Sequence, residues 1–298
     1  MEKRPAVAER EPLTIKAFLE VIQRNLKEIL WKYGDLPKKE EIKDFTKFEP
    51  AKHIEYLHDV AHIWSGGKDS TLTLWALREV CGGRVPMDVF YVDTSYEPFP
   101  EVLDWMKQLA KDWGLNLKRA ASDEVIRCIK NKDKDYSQHR IDVADLPERY
   151  QRELLRLGWT KNHVMIAENP ACCHLLKTCA FQDFMEQNHY KVVIESIRWD
   201  EQRERSLSSY DSEGAGWVRH RRVKPSLFLT YQEARQIQFG DFGVPLCPLY
   251  AKGYTSLGCT PCTSITDTPE IERSGRVAQK EKMLARLQAL GYHGGESG

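Results

Sequence analysis

From residue 59 onward the sequence alternates between short apolar runs and stretches with helical spacing, and this alternation limits the fold more than any other feature. The run DVAHIW ends in SGGKDS and leads into TLTLWALREV, whose apolar residues recur at three and four positions. MDVFYVDT is a second β-rich run, FPEVLDWMKQLAKDWG a second helix and LNLKRA a third strand. KVVIESIR reads as a further strand after the helical stretch CCHLLKTCAFQDFMEQN. Strands that alternate with helices predict an α/β fold, with a mostly parallel twisted sheet, helices on both faces and right-handed crossovers. Ligands in such sheets bind outside the carboxyl ends of the strands. SGGKDS, DTSYEPFPE and SIRWDEQRERS each follow a predicted strand, so three polar motifs are expected at one edge.

The flanks read differently. Residues 13–32 have amphipathic helical spacing, and 1–57 is expected to be a helical extension packed on the domain spanning 58–265. Residues 266–298 form a helical tail with a Gly-rich end. Residues 122–163 are polar and read as a helical excursion or lid, and 206–226 as a Gly/Ser-rich, then basic, loop. Its basic part, RHRRVKP, would suit a nucleic-acid backbone, though a solvated loop is the favoured expectation. With 41% apolar residues, 30% charged residues and a formal net charge of zero, the chain has an ordinary globular composition and no bulk sign of a polyanion binder. It has no apolar run of membrane-spanning length and no signal-peptide core near residue 1. The expectation is a cytoplasmic protein with no membrane partner.

SGGKDS carries phosphate chemistry. Gly66 and Gly67 permit a tight turn and close approach of backbone N–H groups to phosphate oxygens. A helix beginning near Asp69 favours an anion at its N-terminus. Lys68 offers positive charge, Ser65 and Ser70 offer hydroxyls, and Asp69 suits either a metal ion or a helix cap. The G-x-x-x-x-G-K-[ST] spacing of a Walker loop is absent.

The chain has eight cysteines. Clustered cysteines in a reducing compartment indicate metal or catalysis more often than disulfides. Cys172 and Cys173 form a vicinal pair, and Cys259 and Cys262 a CxxC knuckle. Four thiolates suit either tetrahedral zinc or an iron–sulfur cubane, and ligand chemistry alone leaves both open. Cys81 and Cys128 read as core residues, and Cys179 as packing. Cys247 is a lesser candidate beside the knuckle.

SGGKDS after a strand resembles the phosphate loop of the PP-loop ATP pyrophosphatases. That superfamily binds ATP with Mg²⁺ and cleaves between the α- and β-phosphates. CC followed by LLK, with the later GYTSLGCTPCT, resembles the cluster site of the sulfonucleotide-reductase branch, specifically the iron–sulfur adenylylsulfate reductases. The resemblance implies a [4Fe-4S] cluster on Cys172, Cys173, Cys259 and Cys262. It also implies that Lys177, four residues after Cys173, lies near that cluster or a substrate anion. His174 and Leu176 stand where the reductase pattern is basic. DTSYEPFPE is similar to the family's DTG-x-x-FPET, with Ser95 in place of the glycine, and implies that Asp93 approaches the nucleotide. SIRWDEQRERS is similar to G-x-R-x-x-E-S-x-x-R, which implies that Arg198 and Arg205 contact nucleotide anions.

Two departures shape the functional expectation. The reductases bind a preformed adenylylated sulfate and commonly carry a degenerate phosphate loop, whereas this loop is intact. They also use a catalytic cysteine in an ECGxH-type tail, and here no cysteine follows Cys262. The stretch ERSGRVAQKEKMLARLQALGY resembles the end of the small subunit of ATP sulfurylase, which keeps the intact loop but lacks the four cysteines. An intact loop together with four cysteines is similar to ATP-dependent sulfur-insertion enzymes, such as those of DNA phosphorothioation and some tRNA thiolases. The leading expectation is an ATP pyrophosphatase that adenylates a substrate, with catalytic Lys68, Asp69 and Ser70, and uses its cluster in sulfur delivery. Its implied partners are a sulfur donor such as a cysteine desulfurase and a nucleic-acid acceptor. The alternatives are a sulfonucleotide reductase that borrows a thiol in trans, and a nucleotide-binding iron–sulfur regulator without turnover.

Overall fold

Leu57, Val60 and Ala61 are each no more than 1% exposed, as expected of a strand covered on both faces. They belong to the central strand of a computed structural model that describes residues 15–34, 44–96, 99–168, 170–201, 209–213 and 220–265. In chain order its elements are α1 (Ile15–Tyr33), α2 (Pro50–His53), β1 (Leu57–Ile63), α3 (Lys68–Val80), β2 (Met87–Val92), α4 (Phe99–Trp113), β3 (Asn116–Ala120), α5 (Asp123–Arg127), β4 (Ile129–Lys130), β5 (Arg140–Asp142), α6 (Glu148–Arg156), β6 (His163–Met165), α7 (Ala171–Cys173), α8 (Ala180–Gln187), β7 (Val192–Ile194), β8 (Asp211–Ser212), β9 (Arg221–Val223) and α9 (Tyr231–Phe239). The tail beyond residue 265, Arg205 and Arg219 lie outside the described residues.

The main sheet has six strands in the order β3-β2-β1-β7-β9-β8. Every pair is parallel except β8 with β9. The two-residue period of the strands sorts their side chains onto two faces. Val60, Val89 and Val192 pack with α1, α3, α4 and α9 on one face. Ala61, Phe90 and Val193 pack with Phe181, Phe184 and Met185 of α8 on the other. The expected α/β sheet with helices on both faces is therefore present. Strand order reverses between β1 and β7, which makes the crevice beyond their carboxyl ends the topological switch point. SGGKDS leaves β1 and Arg198 follows β7, so both motifs flank that crevice.

The expectation for residues 122–163 is corrected. Strands β4, β5 and β6 form an antiparallel sheet. With α5 and α6 it builds a second core around Val125, Ile129, Ile141, Tyr150, Leu154 and Val164, which Cys172, Leu175 and Leu176 close. Each strand is two or three residues long and contributes one or two core residues, too few to show a period. The basic run is corrected too, because it enters the sheet edge as β9 instead of forming a solvated loop. Arg221 pairs with Asp211 at 2.7 Å, and Arg222 pairs with Glu195. Lys224 is fully buried and donates to Ser209 O at 2.9 Å. Burial lowers its pKa to about 8. These cations are committed internally and form no exposed stripe for a polyanion.

The helix α1 is part of the main core. Phe18, Ile22, Leu26, Ile29 and Leu30, spaced by three and four, are each 6% exposed or less. Asn25 Nδ2 donates to Pro225 O at 3.0 Å, and Lys32, Tyr33 and Arg221 converge on Asp211. Among the described residues, no helix is long and apolar enough to cross a membrane.

Candidate nucleotide and cysteine site

The turn after β1 is knitted by its own hydroxyls. Ser65 N donates to Ser70 Oγ at 3.2 Å, and the Ser65 and Ser70 hydroxyls lie 3.0 Å apart. Ser70 Oγ and Thr71 Oγ1 both donate to Gly67 O. The two glycines serve different ends. Gly66 has φ +69°, and a Cβ there would stand 2.7 Å from Val102 Cγ1 and Met106 Sδ of α4. It is required by its backbone conformation and by helix packing, not by phosphate approach. Gly67 has the open face, where a Cβ would meet Ser65 Oγ at 3.2 Å and the Tyr250 hydroxyl at 3.7 Å. α3 begins at Lys68, whose amide donates to the Tyr250 hydroxyl at 2.7 Å. The next two amides, of Asp69 and Ser70, have no hydrogen-bond partner among the described residues. First-turn amides and the helix dipole together suit an anion.

Beneath the loop lies a buried charge cluster. Lys68 is 5% exposed, with Nζ 3.3 Å from Asp69 Oδ2 and donating to Thr255 O at 3.3 Å. Arg198 is fully buried. Its NH1 pairs with Asp69 Oδ1, and its Nε lies 3.2 Å from Asp200 Oδ1. Gln238 Nε2 also reaches Asp69 Oδ1, at 3.3 Å. The Tyr231 ring lies over Lys68 at 5.3 Å and over Arg198 at 5.7 Å. Burial alone would raise the Asp69 pKa, but Lys68 and Arg198 outweigh it and hold the carboxyl below the ordinary carboxylate range. Asp69 is the hub of this cluster, and a metal ion there would compete with Lys68. Arg198, expected to touch nucleotide anions, braces the loop from below. Asp93 directly follows β2, and its carboxylate accepts from Ser95 N and pairs with Arg119.

The four cysteines of the two sequence motifs line one small pocket, together with Thr94, Tyr96 and Lys177. Cys172 and Cys173 end α7, and the chain continues through a π-helical turn, His174–Cys179, into α8. Burial, then the neighbouring Cys173, and further Cys259 and Cys262, push the Cys172 thiol well above its usual pKa. A thiol crowded by other thiols belongs to a donor set that a cation would deprotonate. Tetrahedral zinc would hold its sulfurs about 3.8 Å apart, given a Zn–S bond of about 2.3 Å. Three ligand atoms within 4.8 Å of one another occur among the described residues at Glu153, His174 and Cys179, and not among these four thiols.

One segment joins the two constellations, and sequence reading missed it. Tyr250 and Thr255 hold Lys68, and the same stretch supplies Cys259 and Cys262. Thr260 N donates to Tyr96 O at 3.0 Å, and Cys259 Sγ lies 3.4 Å from Thr94 Oγ1, which ties the stretch to the loop after β2. Tyr231, Tyr250 and Gln238 carry no motif signal, because their role depends on contacts far along the chain.

The family described as "Phosphoadenosine phosphosulfate reductase domain" matches residues 59–265. The chain belongs to this family. Similar proteins include an adenosine 5'-phosphosulfate reductase of Deinococcus radiodurans, 28% identical over 42% of this chain and 48% of that protein. Another, of Allochromatium vinosum, is 24% identical over 71% of this chain and 70% of that protein. The match therefore spans about half the length of the first relative. Among solved structures, Candida glabrata FMN adenylyltransferase in complex with FAD and inorganic pyrophosphate has 16% identity and a TM-score of 0.49, covering 88% of this chain and 70% of that one.

As a member of the phosphoadenosine phosphosulfate reductase domain family, the chain is notable for what its other cysteines cannot do. Cys247, the lesser candidate, is 1% exposed in the main core, and burial raises its pKa. Burial also raises Cys81, to about 12, and Cys128 and Cys179. None of the four is an activated thiolate. Cys128, expected in the core, is only partly buried and donates to Glu124 O and Asp145 O. Ser95 has φ +62°, a left-handed conformation that glycine adopts without strain. Ser95→Gly is expected to stabilise the fold by about 0.5 kcal/mol, the left-handed strain being partly offset by unfolded-state entropy. A higher urea midpoint checks this, and a lower one would refute it.

Proposed function

We propose that the chain activates a substrate oxygen with ATP and supports sulfur transfer to the activated position, with a [4Fe-4S] cluster on Cys172, Cys173, Cys259 and Cys262. What supports this above all is the segment 248–262, which holds the phosphate-loop lysine at one end and supplies two cysteines at the other. The acceptor oxygen attacks the α-phosphorus, the bond to the β-bridging oxygen breaks, and pyrophosphate leaves with that electron pair. The Asp69 and Ser70 amides and the α3 dipole stabilise the charge that grows on the leaving group. Lys68, Arg198 and Asp69 keep the first turn rigid, and Ser65 and Ser70 hold its shape. A sulfur nucleophile then attacks the substrate atom that bears the adenylated oxygen, forming the bond to sulfur as AMP leaves with that oxygen and its electron pair. The cluster, when bound, would supply a soft site for a sulfur species beside the adenylate. Thr94 and Lys177 at the cavity wall would orient that species and offset its charge.

A second reading, reduction of an adenylylated sulfate, is favoured by the family and by relatives named adenosine 5'-phosphosulfate reductase. It needs an attacking thiolate, which would come from a partner because the four non-cluster thiols are held protonated. Product analysis separates the readings. ATP with the acceptor should give AMP and pyrophosphate, lost in Lys68→Ala with iron content unchanged. Sulfite from adenylylsulfate and a thiol partner would favour reduction, and neither product would favour a regulator.

A further inference from the structure

The π-helical turn after the tandem cysteines begins at His174 and ends at Cys179. A π turn has more residues per turn than an α-helix, so positions five apart come closer to one face than α geometry allows. Here the two positions that bound the turn are a histidine and a cysteine, and both face Glu153 of α6. His174 is fully buried and Cys179 is 4% exposed. His174 Nε2 lies 3.2 Å from Glu153 Oε2, and one ligand atom from each of the three residues falls within 4.8 Å of the others.

The charges around the trio are defined. Glu153 Oε1 pairs with Arg156 at 3.0 Å, which leaves Oε2 toward the histidine. The Cys179 thiol has no hydrogen-bond partner among the described residues. Burial, then the Glu153 and Asp183 carboxylates, push its pKa well up, with Arg149 opposing. A partly buried carboxylate, a buried imidazole nitrogen and a buried thiol within reach of one another make a mixed donor set suited to a borderline-soft divalent ion. None of the three takes part in the chemistry proposed above.

We propose that Glu153, His174 and Cys179 form a second metal site, for one zinc-class divalent cation, separate from the four-cysteine cavity. Binding would release the thiol proton, form Zn–S, Zn–N and Zn–O bonds, and leave the fourth position to water. The ion would fasten α6 to the turn that carries the tandem cysteines, so its role is structural. The site is independent of the nucleotide reading and of which metal the other four cysteines hold.

The test uses the full chain, loaded anaerobically with iron and sulfide, then given one equivalent of zinc and desalted against a weak chelator. The expected result is one zinc per chain beyond the iron, with X-ray absorption showing a single sulfur in its shell. Glu153→Gln, distant in sequence from the four cysteines, should lose that zinc with iron unchanged, and Cys179→Ser should lose the sulfur signal. If the four cysteines take zinc in place of iron, wild type should hold two zinc ions and Glu153→Gln one. A wild-type chain that keeps no extra zinc would overturn the proposal. So would a zinc content that is the same in Glu153→Gln, or, where iron fills the four cysteines, a zinc shell of several sulfurs.

Discussion

Arg198→Met is expected to destabilise the fold by about 3 kcal/mol and to abolish nucleotide binding. Removing one partner of a buried pair costs roughly 3–5 kcal/mol, because the remaining charge stays buried without compensation. Asp69 and Asp200 both lose Arg198, and the low end of the range applies because Lys68 still faces Asp69. Urea unfolding at pH 7 measures the deficit. Its pH dependence follows from Asp69, whose pKa Lys68 and Arg198 depress, and Asp200, whose pKa burial raises against the pull of Arg198. Both carboxyls rise in the variant, so its uncompensated charge is relieved by protonation as pH falls toward the carboxylate range. The deficit should therefore be largest at neutral pH and narrow as pH falls. Arg198→Lys should rescue little, since one ammonium cannot span two carboxylates as a guanidinium does. Wild-type stability in Arg198→Met would refute the bracing role.

Single serine substitutions at Cys172, Cys173, Cys259 or Cys262 are expected to remove most of the iron from anaerobically isolated protein. Wild type should be brown with about four iron atoms per chain, as a cubane requires. Each serine removes a soft ligand from a set of four that has no spare, since Cys81, Cys128, Cys179 and Cys247 lie outside the cavity. Cys81→Ser should keep its iron. Stoichiometric zinc with no iron in the wild type, after anaerobic reconstitution, would replace the cluster with a structural knuckle.

Much of the main sheet was legible because its signals are local. β1, α3, β2, α4 and β3 each show a clear period, and SGGKDS falls between two of them. The pairing of four distant cysteines was legible only through resemblance, because spacing alone fits zinc as well as a cubane. What was hidden depends on partners far along the chain. Arg222 reads as a solvated cation until Glu195, 27 positions away, neutralises it. The pairing of Arg198 with Asp69 likewise has no local signal, because the two are far apart along the chain. The π turn at His174–Cys179 leaves no compositional trace, since one extra residue per turn changes which side chains align and not which residues are present. Arg205 and the tail lie outside the described residues.

The helix α1 sets a condition on how this chain is made. Its polar contacts form late, because Asn25 awaits Pro225, 200 positions later, and Tyr33 awaits Asp211, 178 positions later. At about 5–20 residues per second, that interval lasts roughly 10–40 seconds. During that time Phe18, Ile22, Leu26, Ile29 and Leu30 have no completed surface to cover them. Contacts so distant along the chain also slow the final closure. The nascent chain therefore carries α1 with part of its apolar face uncovered until β9 and α9 emerge, and its yield should depend on holdase chaperones at the ribosome and on the pace of translation between α1 and β9.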